Sequence, residues 1–453
     1  MRRMVRAEYA RRPAIGAVAA PPAPQFRALG RVSSRFMEPV VTDHELAAVR
    51  EVLDRAYPDY LTDLERLVNT DCGSYTQDGV DAIGRWTAER LREIGAHVTT
   101  HPNDLGLGDT VIGEITGTDP AGPTLLCIGH MDTVFDEGTA AERPFRIEGG
   151  IATGPGVTDM KSGLLAGLYA IGALRKALGG LPLARLVFIA NPDEEIGSPA
   201  STPHVRRIGA ESDACLVFEC ARANGDIVSS RKGTIDIVIT LDGKASHAGV
   251  EPEKGRSAIL EAARLVTDLH ALNGRWPGVT VNVGVVEGGT RPNVVAERCA
   301  MQVDVRSVTR DGLEAVEAAI AELTAEARAV PGVTMTVEES SRHWPMEKLE
   351  RSGRLAGHAI SIAAGLGIEL RDAATGGASD ANTTAGMGIP TLDGLGPIGG
   401  LDHSPGEYLE VASIVPRTTL LAGLIVTIGR DPEVRAWSAE RRSKAGGEAG
   451  PAS

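Results

Sequence analysis

Apolar and polar positions along this chain fall into two textures. In the first, up to about residue 228, short apolar runs alternate with amphipathic stretches of helical period. Thr42-Asp43-His44-Glu45 has the form of a capping box. Leu46, Val49, Val52 and Leu53 then recur on one helical face, and Pro58 predicts a kink or an end. Residues 80–94 predict a second amphipathic helix, stopped by Gly95. Short strands are predicted near 96–100 and 110–116. Leu125, Leu126, Cys127 and Ile128 form an apolar run between Pro123 and Gly129, the pattern of a buried parallel strand. Residues 149–156 are glycine-rich and predict a loop. Residues 162–178 predict a helix ended by Gly179-Gly180, and 185–190 and 215–218 predict further strands. Strands alternating with helices imply a doubly wound, mostly parallel α/β sheet.

The texture changes near residue 229. Residues 234–241 are β-branched and alternating, and the order that follows is helix (257–272), strand (280–286), strand (298–305), helix (313–329), strand (333–338). That order is the split βαβ of a ferredoxin-like α+β unit, and about 110 residues suffice for a separate domain. Apolar α/β texture resumes at 355–364 and 389–392, so the unit reads as an insertion. The expected organisation is an arm (1–38), a first part of the main domain (39–228), the insert (229–341), a second part (342–440) and a disordered Gly/Ala/Ser-rich tail (441–453).

Composition narrows the partners. The chain has 453 residues and a net charge of −14, which argues against nucleic acid. Residues 1–38 hold eight arginines and two glutamates, so the remainder stands at −20. Five cysteines (72, 127, 215, 220 and 299) lack paired short spacings and read as reduced thiols of a cytoplasmic protein. No apolar run approaches the ~18 residues of a membrane span, so no membrane association is expected.

The candidate chemistry lies at strand ends and in adjoining loops. The 125–128 run leads into Gly129-His130-Met131-Asp132-Thr133, and residues two apart on an extended segment share a face. Asp132 can therefore hydrogen-bond the second nitrogen of His130, the support that a metal-bound histidine usually has. Asp159 precedes the 162–178 helix, Glu194-Glu195 follow the 185–190 strand, Glu219 ends the 215–218 strand, and His403 lies in a late loop. Each has a plain structural alternative: a helix cap, an acidic first turn, a solvated strand end, a loop histidine. Together they suit a site for two metal ions, since two histidines and three carboxylates without cysteine match Zn²⁺ or similar ions. A neighbouring carboxylate that is not a ligand could then take a proton from metal-bound water.

The motifs that carry these residues resemble the zinc peptidase family of glutamate carboxypeptidase, aminoacylase and succinyl-diaminopimelate desuccinylase. They are G-H-M-D-T-V at 129–134, G-P-G-V-T-D-M-K at 154–161, D-E-E at 193–195, Glu219, and G-G-L-D-H-S at 399–404. The resemblance covers about residues 45–430 and looks closest to glutamate carboxypeptidase. It implies that His130, Asp159 and Glu219 bind one zinc and that Asp159, Glu195 and His403 bind the other, Co²⁺ or Mn²⁺ being possible substitutes. It implies Asp132 as the residue orienting His130, Glu194 as general base, and the insert as a lid and dimerisation domain. G-K-A-S-H-A-G at 243–249 resembles the segment whose histidine, here His247, reaches across a homodimer to the scissile carbonyl. Asn293 and Arg306 match lid positions that bind the substrate carboxylate. Ser162 and Ala296 depart from the commoner Gly and Pro, and neither removes a ligand.

The reading that follows is a dizinc hydrolase acting on a small peptide or N-acyl amino acid, cutting an amide next to a free carboxylate. Carboxypeptidase action competes with N-acyl-amino-acid deacylation. A reading of another class is a catalytically silent metal-bound binding protein, against which the intact Glu194 and ligand set argue.

Overall fold

The computed structural model describes residues 40–448, so the expected arm at 1–38 lies outside the described residues. The central sheet has six strands in the order His97–His101, Thr110–Thr116, Arg185–Asn191, Thr124–His130, Ala214–Val217 and Thr391–Leu392. Thr110–Thr116 pairs with both of its neighbours in antiparallel fashion, and the three remaining pairings are parallel. Both faces are buried. On one, Leu125 and Cys127 pack in the core with helices Asp43–Val68, Ser162–Leu178 and Ile414–Arg430; on the other, Leu126 and Ile128 pack with Val187, Ile189, Val205 and Ile208. Fully buried parallel strands explain the continuous apolar runs of the sequence.

A second, antiparallel sheet runs in the order Thr280–Gly288, Arg298–Ser307, Gly233–Asp242 and Thr334–His343. Helices Ala258–His270 and Arg310–Thr324 pack on one face over a separate core. This is the expected split βαβ unit. It is inserted between the strand Ile227–Arg231 and the later strands of the main domain. The chain crosses twice, at residues 232–233 and 343–346. Arg231 and Met346 exchange backbone hydrogen bonds of 3.0 Å there, and the buried Asn382 amide donates to both crossings, to Lys232 O at 3.0 Å and Trp344 O at 2.7 Å.

Four expectations change. Helix Asp43–Val68 opens with the expected capping box but continues through Pro58. Proline removes one helical bond, while burial of Tyr60, Leu64, Leu67 and Val68 beyond it favours continuation. The 149–156 loop contains a strand, Ile151–Thr153, that pairs with Tyr408–Glu410. The expected absence of a long apolar run is corrected: Val411–Arg430 has a mean hydropathy of 1.8, with 78% of that window buried inside the protein. It is a core helix, and its buried Arg417 donates to the carbonyls of Gly396, Gly225 and Gly394. Residues 441–448, expected in a disordered tail, continue helix Pro432–Glu448, tethered by Arg441 on Asp213 at 2.7 Å and Arg442 on Gly122 O at 3.0 Å.

Candidate metal centre

The acidic and histidine residues converge at the carboxyl ends of the parallel strands, where open α/β sheets bind ligands. His130 is the last residue of its strand and is 1% exposed. Its Nε2 lies 3.2 Å from Asp159 Oδ1 and 3.7 Å from Glu219 Oε1. The other oxygen of Asp159, Oδ2, lies 3.0 Å from His403 Nε2, which is also 3.1 Å from Glu195 Oε2. Asp159 thus stands between two sets of donors, one oxygen toward each. All five expected ligand positions come together although they span 274 positions of sequence, from 130 to 403.

Local structure explains the placement. Glu194–Ile196 is a single 3₁₀ turn. With three residues per turn, neighbouring side chains point about 120° apart. Glu195 therefore joins the set with His130 and Asp159, and Glu194 the set with His130 and Glu219, each with donor atoms within 4.8 Å of one another. Glu194 is close enough to ligate, so proximity alone does not separate a base from a ligand. Asp132 holds this turn from behind: its carboxylate accepts from Glu194 N–H at 3.0 Å, Glu195 N–H at 3.2 Å and Ser74 Oγ at 2.7 Å. His130 Nδ1 meets the backbone carbonyl of Asp132 at 3.0 Å and its Oδ1 at 3.4 Å. Asp193 serves the next loop, accepting from Ser201 Oγ at 2.6 Å.

Electrostatics mark the site as short of positive charge. Burial and the nearby Glu219 push the Glu194 carboxyl well up, and burial with Asp159 does the same to Glu219. Burial opposes charge on His130, but hydrogen bonds with Asp132 and Asp159 override it and raise its pKa. Asp159 and Glu195 push His403 up to about 11. Glu195 Oε1 is buried without a hydrogen-bond partner among the described residues. A carboxylate oxygen left so is costly unless a cation meets it. The nitrogen and oxygen donors with an orphaned carboxylate oxygen fit a pair of divalent ions, whose charge would reverse these protonation preferences. The five cysteines are free and buried, and Cys220, beside Glu219, turns its thiol to Asp402 at 3.6 Å.

The lid residues are placed differently. His247 and Asn293 are exposed neighbours: Ala248 N–H donates to Asn293 O at 3.0 Å, and His247 bridges Val294. Among the described contacts, neither touches the metal cluster. Arg306 reaches the main domain, with Nη1 on Gly376 O at 2.9 Å and Nε on Asp304 at 3.0 Å.

Four residues near the site escaped the sequence reading. Arg231 is buried, with Nε on Asp393 at 2.6 Å and Nη1 on Gly377 O at 3.1 Å. Asp380 accepts from Ser198 Oγ at 2.6 Å and from Asn191, and burial lifts its pKa to about 6. Asn382 holds the crossings, and Glu407 is buried against the Asp159 loop. The one signal available was the acid four residues after His403.

The profile of Peptidase family M20/M25/M40 matches residues 126–427. Carboxypeptidase G2 from Pseudomonas sp. (strain RS-16) is 30% identical over 379 residues, 82% of this chain and 90% of that protein. Succinyl-diaminopimelate desuccinylase from Dechloromonas aromatica (strain RCB) is 27% identical over 344 residues, 72% of this chain and 88% of that protein. Among solved structures, the Bacillus subtilis YXEP protein, described as a dinuclear metal binding peptidase, superimposes with a TM-score of 0.64 at 17% identity, over 83% of this chain and 99% of that one. That likeness shows the fold. The family match and the extent of the first relative show more: this chain is a metal-dependent hydrolase belonging to Peptidase family M20/M25/M40.

Proposed function

We propose that the protein is a dizinc exopeptidase of the glutamate carboxypeptidase kind, cleaving an amide bond next to a free carboxylate. The observation that carries this reading is Asp159 standing between two donor sets, with His130 and Glu219 on one side and Glu195 and His403 on the other. Those residues would hold two ions, which lower the pKa of a shared water and polarise a carbonyl. Glu194 would take the proton. Asp132 fixes the base by gripping its backbone amide and that of Glu195. Arg306, at the boundary of lid and main domain, would meet the substrate carboxylate, with Asn293 beside it in function.

His247 and Asn293 share one exposed patch of the lid and make no contact with the cluster of their own chain among the described residues. That placement supports a homodimer in which they serve the partner's site. The relatives include an acetylornithine deacetylase and the desuccinylase, so deacylation of an N-acyl amino acid is the second reading.

The test is hydrolysis of N-acyl-glutamates, N-acetyl amino acids and dipeptides, with Zn²⁺, Co²⁺ or Mn²⁺ restored after chelation. Preference for a C-terminal glutamate supports the carboxypeptidase, and preference for small acyl groups on varied amino acids replaces it with the deacylase. Full turnover after verified metal removal would sink both.

A further inference from the structure

Two loops distant in sequence carry residues of the candidate centre: one ahead of helix Ser162–Leu178 holds Asp159, and the other holds His403. A small antiparallel sheet brings them together, with Tyr408 opposite Thr153 and Leu409 opposite Ala152. Inside this frame Glu407 turns inward and is 1% exposed. Its Oε2 accepts from Gly156 N–H at 2.9 Å, and its Oε1 from Thr158 N–H at 2.8 Å and Asp159 N–H at 3.1 Å. The last donor is the backbone of the residue whose two oxygens face His130 and His403.

We infer that Glu407 is a positioning residue for metal binding. It fixes the backbone from which the bridging Asp159 carboxylate projects, and it ties the His403 loop to the same frame. The inference rests on the reading of Asp159 as a ligand. The loop cannot hold its own shape through a regular ladder: Gly156 has φ 70°, and Asp159 (φ −111°, ψ 94°) and Met160 (φ −126°, ψ 40°) are non-helical. Its buried amides need an acceptor. A carboxylate offers four lone-pair sites on two oxygens, enough for three donors. Asp132 does the same for the turn that carries Glu194 and Glu195, so both ligand-bearing segments are gripped through their amides by a buried carboxylate. Groups one step behind a metal ligand govern affinity in this way.

A structural clamp of similar build, with an added ion pair to Arg264 at 2.6 Å, exists elsewhere in the molecule and provides the control. Glu261, on the lid, is 0% exposed and accepts from the backbone amides of Arg328, Ala329 and Val330 at 3.0, 2.7 and 2.7 Å. In Glu407→Gln, whichever way the amide turns, its NH₂ faces a backbone N–H. Glu261→Gln suffers the same conflict far from the ligands.

The experiment measures Zn²⁺ per chain and Zn²⁺ affinity by chelator competition, with thermal unfolding of the metal-free protein, for Glu407→Gln, Glu261→Gln and Asp159→Asn. Glu407→Gln should weaken binding at one or both sites by about 10–100-fold. Glu261→Gln should destabilise to a similar degree while keeping its Zn²⁺ affinity within about twofold of wild type. If Glu407→Gln does not fold, Glu407→Asp, one methylene shorter and unable to reach all three amides, must show the affinity loss. Wild-type affinity in the folded Glu407 variant, with metal lost in Asp159→Asn, overturns the inference. So does an equal affinity loss in Glu261→Gln. Wild-type binding by Asp159→Asn would instead remove the ligand assignment beneath it.

Discussion

At the carboxyl ends of the parallel strands, the side chains with chemistry are mostly buried, and other buried groups hold them from behind. His130 has a partner on each ring nitrogen, and the Glu194–Glu195 turn is clamped through its amides. On the inserted lid, His247 and Asn293 stand in the open. His247 is exposed and its Nδ1 accepts only from Gly249 N–H, at 3.2 Å, among the described contacts. The first region is built before a substrate arrives, which suits charge stabilisation that needs no reorganisation. The second can contribute only by bringing an exposed patch to a site, through lid movement or a partner.

The sharpest way to break this contrast lies within the buried region itself. Glu194 and Glu195 are adjacent, both carboxylates, and both within ligating distance of His130. Glu194→Gln should lose about 10²–10⁴ in kcat while keeping two metals per chain, the usual worth of a general base. Glu195→Gln should lose metal. Elemental analysis beside turnover decides, and equal metal loss in both would erase the division of labour drawn from the 3₁₀ turn.

For the exposed region, His247→Ala should cost about 10²–10³ in kcat, the usual loss of one oxyanion donor, with metal content unchanged. Mixing His247→Ala with Glu194→Gln tests where the histidine acts. After subunit exchange, each mixed dimer would join an intact base to an intact partner histidine, and activity should return. Exchange without recovered activity would confine His247 to its own subunit or to no role.

How much of this was legible depended on where the information sits. Candidate ligands at strand ends announce themselves, because an apolar run that ends in His or Glu fixes both the element and the position. The Ser162–Leu178 helix and the Thr110–Thr116 strand fall where periodicity puts them. The order of the inserted unit was equally readable, since its core strands alternate. What escaped depends on pairing distant in sequence. Nothing near Gly149–Gly156 reveals that Ile151–Thr153 finds Tyr408–Glu410. Nothing around Asn382 shows that its amide meets both crossings, residues 150 and 38 positions away. Pro58 misled because a local rule met a tertiary counterweight, the buried face from Tyr60 to Val68.

The crossings offer a smaller test. Asn382→Ala leaves two part-buried carbonyls, on Lys232 and Trp344, without that donor, at a cost of about 1 kcal/mol. Gly233 approaches so closely that an added Cβ would lie 2.6 Å from Pro345, so the hinge has little room to repack. If the lid must be held at a set angle to serve the site, Asn382→Ala should raise KM more than it lowers kcat, with metal content intact. A change in stability alone, with unaltered kinetics, would make the clamp purely structural.

The smallest expected effect concerns acid, and it separates the main domain from the lid by a different physics. Hydrogen bonds from Arg430 hold the Glu45 carboxyl down at about 2, against an ordinary value of 4.5. Two contacts, of 2.8 and 3.0 Å, join the start of helix Asp43–Val68 to the end of helix Ile414–Arg430. The folded pKa is the lower one, so the stabilisation is present above pH 4.5 and disappears as pH falls toward 2. The pair is near the surface, so its worth is under about 1 kcal/mol and should shrink in high salt. The lid's Glu261 is also held below its ordinary value; burial opposes this, but the amides of Arg328, Val330 and Ala329 outweigh it. Its loss in acid has the same sign, but a fully buried carboxylate, held by three backbone amides and by a mostly buried Arg264 at 2.6 Å, is less screened by salt than the surface pair. Melting temperatures of Glu45→Gln and Glu261→Gln between pH 5 and 2.5, at low and high salt, should therefore diverge. Salt should erase most of the Glu45 effect and leave the Glu261 effect standing. If both respond to salt alike, the lid carboxylate is no better shielded than the surface pair.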